Sequence, residues 1–356
     1  MSYRVAAGLA LGFAMLTCTP VRAQSSERIS ADLLFYGDNT EFANPFREGE
    51  TLMGAAVRVE LVVPVGPRVQ IRGGVFGNQR FGSERAFEEV RPVLAMVLLG
   101  STHSFVFGTL PEPTTPARGP DRQNRHGLLP PVQGETLAFT RPWEAGLQWT
   151  TSTNRVRQAA WINWQALNTS DHRERFDTGV VGQAAMAAGL SLQYQWHLVH
   201  RGGQLFAVGP VSDSQAGALG MRLDRAVRPV GDVSLEGWGL FSRDVPDRER
   251  IDGERTGRAF LVRAEARRLG WRTHVLVFRG DDYVKAEGDA NYQAVRRDGR
   301  AFTGVRDYAE VGLSRYFELA PGVGVEAALR FHRTEAHYEY SYRILGRAHL
   351  DRALRR

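Results

Sequence analysis

Acid and base side chains gather near the ends of several extended segments of this 356-residue chain: Asp281 with Asp282, Asp171 with His172, and His332. Paired carboxylates can share a proton, and an acid–histidine pair can activate water or a hydroxyl, so hydrolysis is the chemistry such sets offer. His103 and Ser104 supply the residue types of a nucleophile and its base. In each pair the partners are adjacent, and adjacent side chains of an extended chain point to opposite faces. They therefore diverge, and the expectation is that the chain is not an enzyme. The nine histidines are scattered, with His197 and His200 on opposite faces of one segment, so neither a metal centre nor a cofactor is expected. Glycine-rich phosphate cradles and basic nucleic-acid patches are absent from the sequence.

The elements that carry these residues have period two. In 53–63, Met53, Val57, Val59 and Leu61 alternate with Arg58 and Glu60. Ser191, Gln193, Gln195 and His197 alternate with Leu192, Tyr194, Trp196 and Leu198, and Glu326, Arg330 and His332 with Val325, Leu329 and Phe331. One face of each strand is thus apolar and the other polar. The segments 91–99 and 178–187 alternate least clearly. The spacing predicts about sixteen strands, with fourteen to eighteen as the range. Their joins alternate between tight turns, such as Thr153 Asn154 Arg155 and Leu269 Gly270, and long polar segments, such as 37–49, 111–136 and 281–307. A strand is expected over 137–151. Asp298 Gly299 predicts a hairpin turn, which would stand above the sheet on arms carrying Arg296, Arg297 and Arg300.

The first residues predict a compartment. Arg4, an apolar run over 5–17 and Val21 Arg22 Ala23 have the order of a secretory signal peptide, so the mature chain is expected to begin near Gln24. Cys18, the only cysteine, would leave with it and take thiol chemistry away. Residues 24–356 are expected to form one domain. No later run is long and apolar enough for a spanning helix, so a membrane location would require a closed barrel.

These features together resemble the Gram-negative outer-membrane β-barrels of the porin-like kind, all-β, antiparallel and up-and-down, with short periplasmic turns and long extracellular loops. Trp143, Trp149, Trp164, Trp196 and Trp271 are placed on the apolar face, as an aromatic girdle requires. The resemblance implies a cell outer-membrane location, membrane lipid and the outer-membrane assembly machinery as partners, and a homo-oligomer as a possible state. Barrels of this class usually end on an aromatic residue; here Tyr338, Tyr340 and Tyr342 give the last strand its aromatic face, and 351–356 form a polar, basic tail. Outer-membrane proteases separate their catalytic partners by one residue, which puts both on one strand face, whereas Asp281 Asp282 and Asp171 His172 are adjacent here.

The resemblance implies passive passage of small hydrophilic solutes, with a structural or polymer-export barrel serving a periplasmic partner as the alternative. Expected pore-lining residues are Arg58, Arg72, Arg157, Arg222, Arg263, Arg267, Arg272 and Arg330. In general porins the third external loop folds inward, and the matching segment here, 111–136, offers Arg118, Arg122 and Arg125 for a constriction; a stiff surface loop is the other reading. The net charge of +6 does not imply anion selectivity. On the inward faces Glu60, Glu236, Glu265, Glu310 and Glu326 nearly balance the arginines, and cross-strand pairing is expected.

Overall fold

The computed structural model describes residues 26–111, 125–203, 206, 209–250 and 252–354; the expected signal peptide, 1–23, and the constriction candidates Arg118 and Arg122 lie outside the described residues. Sixteen strands follow in order: β1 (Arg28–Ala43), β2 (Glu48–Gly66), β3 (Val69–Arg80), β4 (Glu89–Leu99), β5 (His103–Thr109), β6 (Ala145–Ser152), β7 (Val156–Ala166), β8 (Glu174–Ala187), β9 (Leu190–Gly202), β10 (Ser212–Val227), β11 (Gly231–Val245), β12 (Arg255–Arg268), β13 (Trp271–Asp281), β14 (Val305–Ala320), β15 (Val323–Thr334) and β16 (His337–Ala353). Each pairs antiparallel with its neighbours in the chain, and β1 pairs with β16 from Arg28↔Ala353 to Glu41↔Tyr340, which closes the barrel. Closure satisfies every ladder without leaving an edge, the condition for a sheet in lipid.

The joins sort onto two edges. One carries only two- and three-residue turns, among them 153–155, 188–189 and 269–270; the other carries 81–88, 110–144, 167–173, 203–211, 246–254 and 282–304. At the turn between β12 and β13, Leu269 (φ 51°) and Gly270 (φ 79°) both take the left-handed conformation of a type I′ turn. Two long-edge joins are shorter than the rhythm predicts. β1 runs on to Ala43, leaving 44–47 as its connection, and β15 and β16 are joined by 335–336.

Period two sets the faces. Phe35, Leu94, Phe107 and Phe331 are exposed on the outside of the wall, whereas Arg58, Glu60, His197, His274 and Glu310 are buried on its inside. Trp149, Trp164 and Trp271 are exposed as the girdle expectation requires. Trp143 is a correction: it lines an interior cavity with Arg91 and Asp177 and takes the Arg91 guanidinium over its ring at 5.5 Å.

The interior is packed because two long-edge segments fold into it. Leu128, Leu129 and Val132 of the first, and Tyr283 and Tyr292 of the second, join inward Trp161, Trp238, Leu261, Phe278 and Tyr308 in one apolar cluster. The expected strand at 137–151 is corrected here. Leu137–Thr140 is one helical turn, α1, and Phe139 stacks on Tyr36 at 4.8 Å, so only Ala145–Ser152 joins the wall. The hairpin expected to stand above the sheet is also revised. Its first arm turns inward through the 3₁₀ turn Ala290–Tyr292, and only the turn around Gly299, linked by the bridge Val295↔Ala301, stays at the rim. Apolar loop residues account for both revisions, since burying Tyr292 or Leu128 gains what a strand's inward residue would gain.

Candidate functional site

The register of the last three strands assembles a hydrogen-bonded relay. Glu310 on β14 lies opposite His332 on β15, and Ser341 on β16 lies opposite Arg330, two residues along on the same inward face. The Ser341 hydroxyl is 2.8 Å from His332 Nε2. His332 Nδ1 is 2.7 Å from the Tyr308 hydroxyl and 3.4 Å from Glu310 Oε2, and Tyr308 in turn donates to Glu310 Oε2 at 2.8 Å. Tyr308 has one proton and spends it on the carboxylate, so it accepts from His332 Nδ1–H. That fixes the tautomer and leaves Nε2 bare to accept the serine proton. This is the nucleophile, base and orienting acid of hydroxyl activation, with the tyrosine bridging the last two.

Three further groups hold the relay in place. His274 on β13 meets Glu310 Oε1 at 2.6 Å, Arg330 approaches the same oxygen at 3.9 Å, and Phe42 packs edge-on against the His332 ring at 4.9 Å. At the same long-loop edge Asn44 links the start of β16 to the inserted segment 282–304, donating to Glu339 at 2.6 Å and to Asn291 at 3.2 Å. His332 was singled out by the sequence; Glu310, Ser341, Tyr308 and His274 were not assigned chemistry. The other sequence candidates are not brought together. Asp281 faces outward toward Arg258 at 3.7 Å, Asp282 lies 3.8 Å from Arg255, and Asp171 and His172 are in the exposed loop 167–173. His103 bonds Thr151 at 3.0 Å, whereas Ser104 bonds Thr150.

A second histidine–acid pair joins a loop to the wall: His126 Nε2 lies 2.9 Å from Glu144, and its ring stacks on Trp161 at 3.8 Å. A third group, Asp177, His197 and Glu287, places ligand-type atoms within 4.8 Å of one another. Both oxygens of Asp177 are occupied by N–H donors from Trp161, Asn163 and Gln165 at 2.7–2.8 Å, and Oε1 of Glu287 by Arg141 and Arg175 at 2.7 and 2.6 Å, while its Oε2 is buried without a hydrogen-bond partner among the described residues. That set suits an interior ion network better than a cation site.

The sequence-predicted arginines mostly meet acids. Glu60 takes Arg58 at 2.9 Å and Arg72 at 3.4 Å; Glu265 takes Arg263 at 3.3 Å, Arg267 and, at 3.9 Å, Arg272; Arg222 bonds Glu236 at 2.6 Å. Arg125, the described member of the constriction set, lies 3.0 Å from Glu144 and donates to the Leu110 carbonyl at 3.0 Å, so this end of its loop is tied to the barrel wall. Glu135 on the same loop bridges Arg330 and Arg343, each at 2.8 Å. Burial alone would raise the Glu135 carboxyl, but the two guanidiniums outweigh it and hold the group below the usual carboxylate range. On the other inserted loop, burial pulls the Lys285 ammonium down to about 8 despite nearby Glu287 and Asp177. Below the two loops a cavity of about 620 Å³ remains toward the short-turn edge, lined in part by Arg157, Arg222, Arg263 and Arg267.

The closed sixteen-strand wall, apolar outside and charged inside, defines a barrel of the porin-like outer-membrane architecture. Among solved structures it is similar to a loop-deletion mutant of OmpT, an outer-membrane protein of Vibrio cholerae, with a TM-score of 0.57 at 8% identity over 91% of this chain and 99% of that one. It is likewise similar to the anion-selective porin from Comamonas acidovorans, with a TM-score of 0.53 at 11% identity over 91% and 99%. At these identities the likeness is one of fold. The chain belongs to the lipid A 3′-O-deacylase-type family, whose model matches residues 21–352. No curated protein matches the chain. Membership of a family described by an enzymatic activity overturns the expectation that the chain is not an enzyme; that expectation weighed only adjacent pairs, whereas the strand register brings acid, histidine and hydroxyl groups together across the sheet.

Proposed function

We propose that this barrel is an outer-membrane acyl-ester hydrolase whose substrate is an acylated lipid of the lipid A class. The observation that carries the reading is the Ser341–His332–Glu310 relay with its tautomer set by Tyr308. Ser341 Oγ attacks the ester carbonyl while His332 Nε2 takes its proton. Collapse of the tetrahedral intermediate breaks the bond to the sugar oxygen, which leaves with the proton from His332. Water, deprotonated by the same nitrogen, then releases the fatty acid from Ser341. Glu310 and Tyr308 stabilise the imidazolium formed in each half. Phe42 and the Asn44 bridge cover the relay, so their displacement is part of substrate entry.

The test is mass spectrometry of lipid A from membranes holding the wild type, Ser341→Ala or His126→Ala, with barrel folding checked by gel mobility of unboiled samples. The expected result is loss of one acyl chain with the wild type and with His126→Ala, and a fall of roughly 10³-fold or more in rate with folded Ser341→Ala. Full activity in Ser341→Ala would sink the assignment, and activity lost only in His126→Ala would move the chemistry to the His126–Glu144 pair.

A second reading, passage of small hydrophilic solutes, is favoured by the polar cavity at the short-turn edge. It assigns Arg58, Arg72, Arg157, Arg222, Arg263, Arg267, Arg272 and Arg330 to the solute path, and planar-bilayer conductance decides it.

A further inference from the structure

We propose that the cavity at the short-turn edge is a binding site for a small free oxyanion, a phosphate or a short dicarboxylate, held by Arg155 and Arg157. Both arginines line the cavity, one in the turn 153–155 and the other two residues on, at the start of β7. The two sides of the cavity differ in charge. On the β10–β12 side every lining acid but Asp232 has a guanidinium: Arg222 takes Asp224 at 2.9 Å and Glu236 at 2.6 Å, and Glu265 takes Arg263 at 3.3 Å. On the β6–β9 side the sequence contains no carboxylate in 145–166 or 178–202. Among the described residues, neither Arg155 nor Arg157 has a side-chain partner.

The neighbours of these two guanidiniums are uncharged polar groups. Gln183 faces Arg157 across the β7–β8 ladder, and Gln193 reaches Gln183 at 3.5 Å and Ser191 at 2.7 Å. Two unpaired guanidiniums beside uncharged carboxamides and a hydroxyl, with no carboxylate among them, form a surface rich in N–H donors, which matches an oxyanion with several acceptor oxygens. A cavity of about 620 Å³ accommodates such a solute with water around it. On the opposite wall Arg222, Arg263 and Arg267 are each paired with an acid and Arg225 donates to the Ala188 carbonyl, while Asp232 adds negative charge, so the anion is drawn to the β6–β9 side.

The purified full-length barrel in detergent is titrated calorimetrically with inorganic phosphate and, separately, with succinate. The expected result is saturable binding of one equivalent of at least one of them, weakening as salt is raised. Replacing Arg155→Ala or Arg157→Ala is expected to weaken it roughly tenfold each, and the doubly Lys-substituted barrel is expected to recover part of the affinity. Arg258→Ala, which removes the same charge from the exposed outer surface, is expected to bind as the wild type does. Phosphate bound alone assigns the phosphate class, and succinate alone the carboxylate class. No binding of either, binding unchanged in the double Ala variant, or equal weakening by Arg258→Ala would overturn the proposal.

Discussion

The two ends of the barrel interior solve the problem of inward charge differently. Toward the long-loop edge, loop side chains enter the lumen and meet wall residues directly, as Glu135 reaches Arg330 and Arg343; the wall pair Asp38–Arg343 adds a contact at 2.8 Å, and the relay groups are each buried. Toward the short-turn edge nothing enters, and a cavity lies between pairs such as Arg222–Asp224, in which Asp224 keeps 53% of its side-chain surface. The difference explains why the proposed relay lies at one end. A buried, hydrogen-bonded network fixes tautomer and orientation, as the proposed relay needs, whereas hydrated pairs leave side chains free to receive a solute.

That contrast is broken most sharply at Glu135. Glu135→Gln keeps the shape but leaves two buried guanidiniums short of a counter-charge, and removing one partner of a buried pair typically costs about 3–5 kcal/mol. Because Arg343 keeps Asp38 and Arg330 keeps Glu310 at 3.9 Å, the lower end of that range is expected. Thermal unfolding of the barrel, followed by gel mobility, measures it, and bilayer recordings should show larger conductance once the loop is released. A loss under about 1 kcal/mol would mean that the packed end is as hydrated as the other.

Lys285 offers a pH-resolved version of the same test, since it is the only lysine in the chain. Its folded-state value of about 8 lies below the unfolded value of about 10.4. Between these pH values the unfolded chain binds one more proton than the folded one, so stability rises with pH, by up to about 1.4 kcal/mol per unit. Below about 8 both states are protonated and the burial penalty is constant. Lys285→Met should flatten that slope, separating it from the tyrosines that titrate near 10. An identical slope in the variant would place Lys285 in water and the inserted loop outside the lumen.

How much of this was legible in the sequence depended on whether the signal was local. The two-residue turns at 188–189 and 269–270 announce themselves through glycine, and the faces of β2 and β15 through strict alternation, so the strand order and most strand limits could be read directly. Leu137 and Phe139 were misread because inward burial of a loop gives the same apolar spacing as a strand. The relay was illegible for a different reason. Glu310, His332 and Ser341 sit on three strands, and only the pairings Glu310↔His332 and Arg330↔Ser341 bring them together. A search for partners in adjacent positions cannot find what the ladder assembles. Asp177, His197 and Glu287 were missed likewise, because a loop 90 residues from His197 supplies the third group.

The smallest expected effect lies at the hollow end. Arg222 contacts two acids, Asp224 at 2.9 Å and Glu236 at 2.6 Å, as many as Glu135 has guanidiniums, yet its side chain keeps 29% of its surface and Asp224 more. Water can replace Arg222 around Asp224, and buried Glu236 keeps the Trp238 indole N–H at 3.2 Å, so Arg222→Ala should cost about 1 kcal/mol, with part of any loss recovered in high salt through screening of the remaining acids. Measured beside Glu135→Gln under one set of conditions, the ratio of the two losses reports the hydration of one end relative to the other. Equal losses would mean that the cavity is dry around Arg222, and a dry cavity of that size with unpaired Arg155 and Arg157 on its wall would require an anion already bound there.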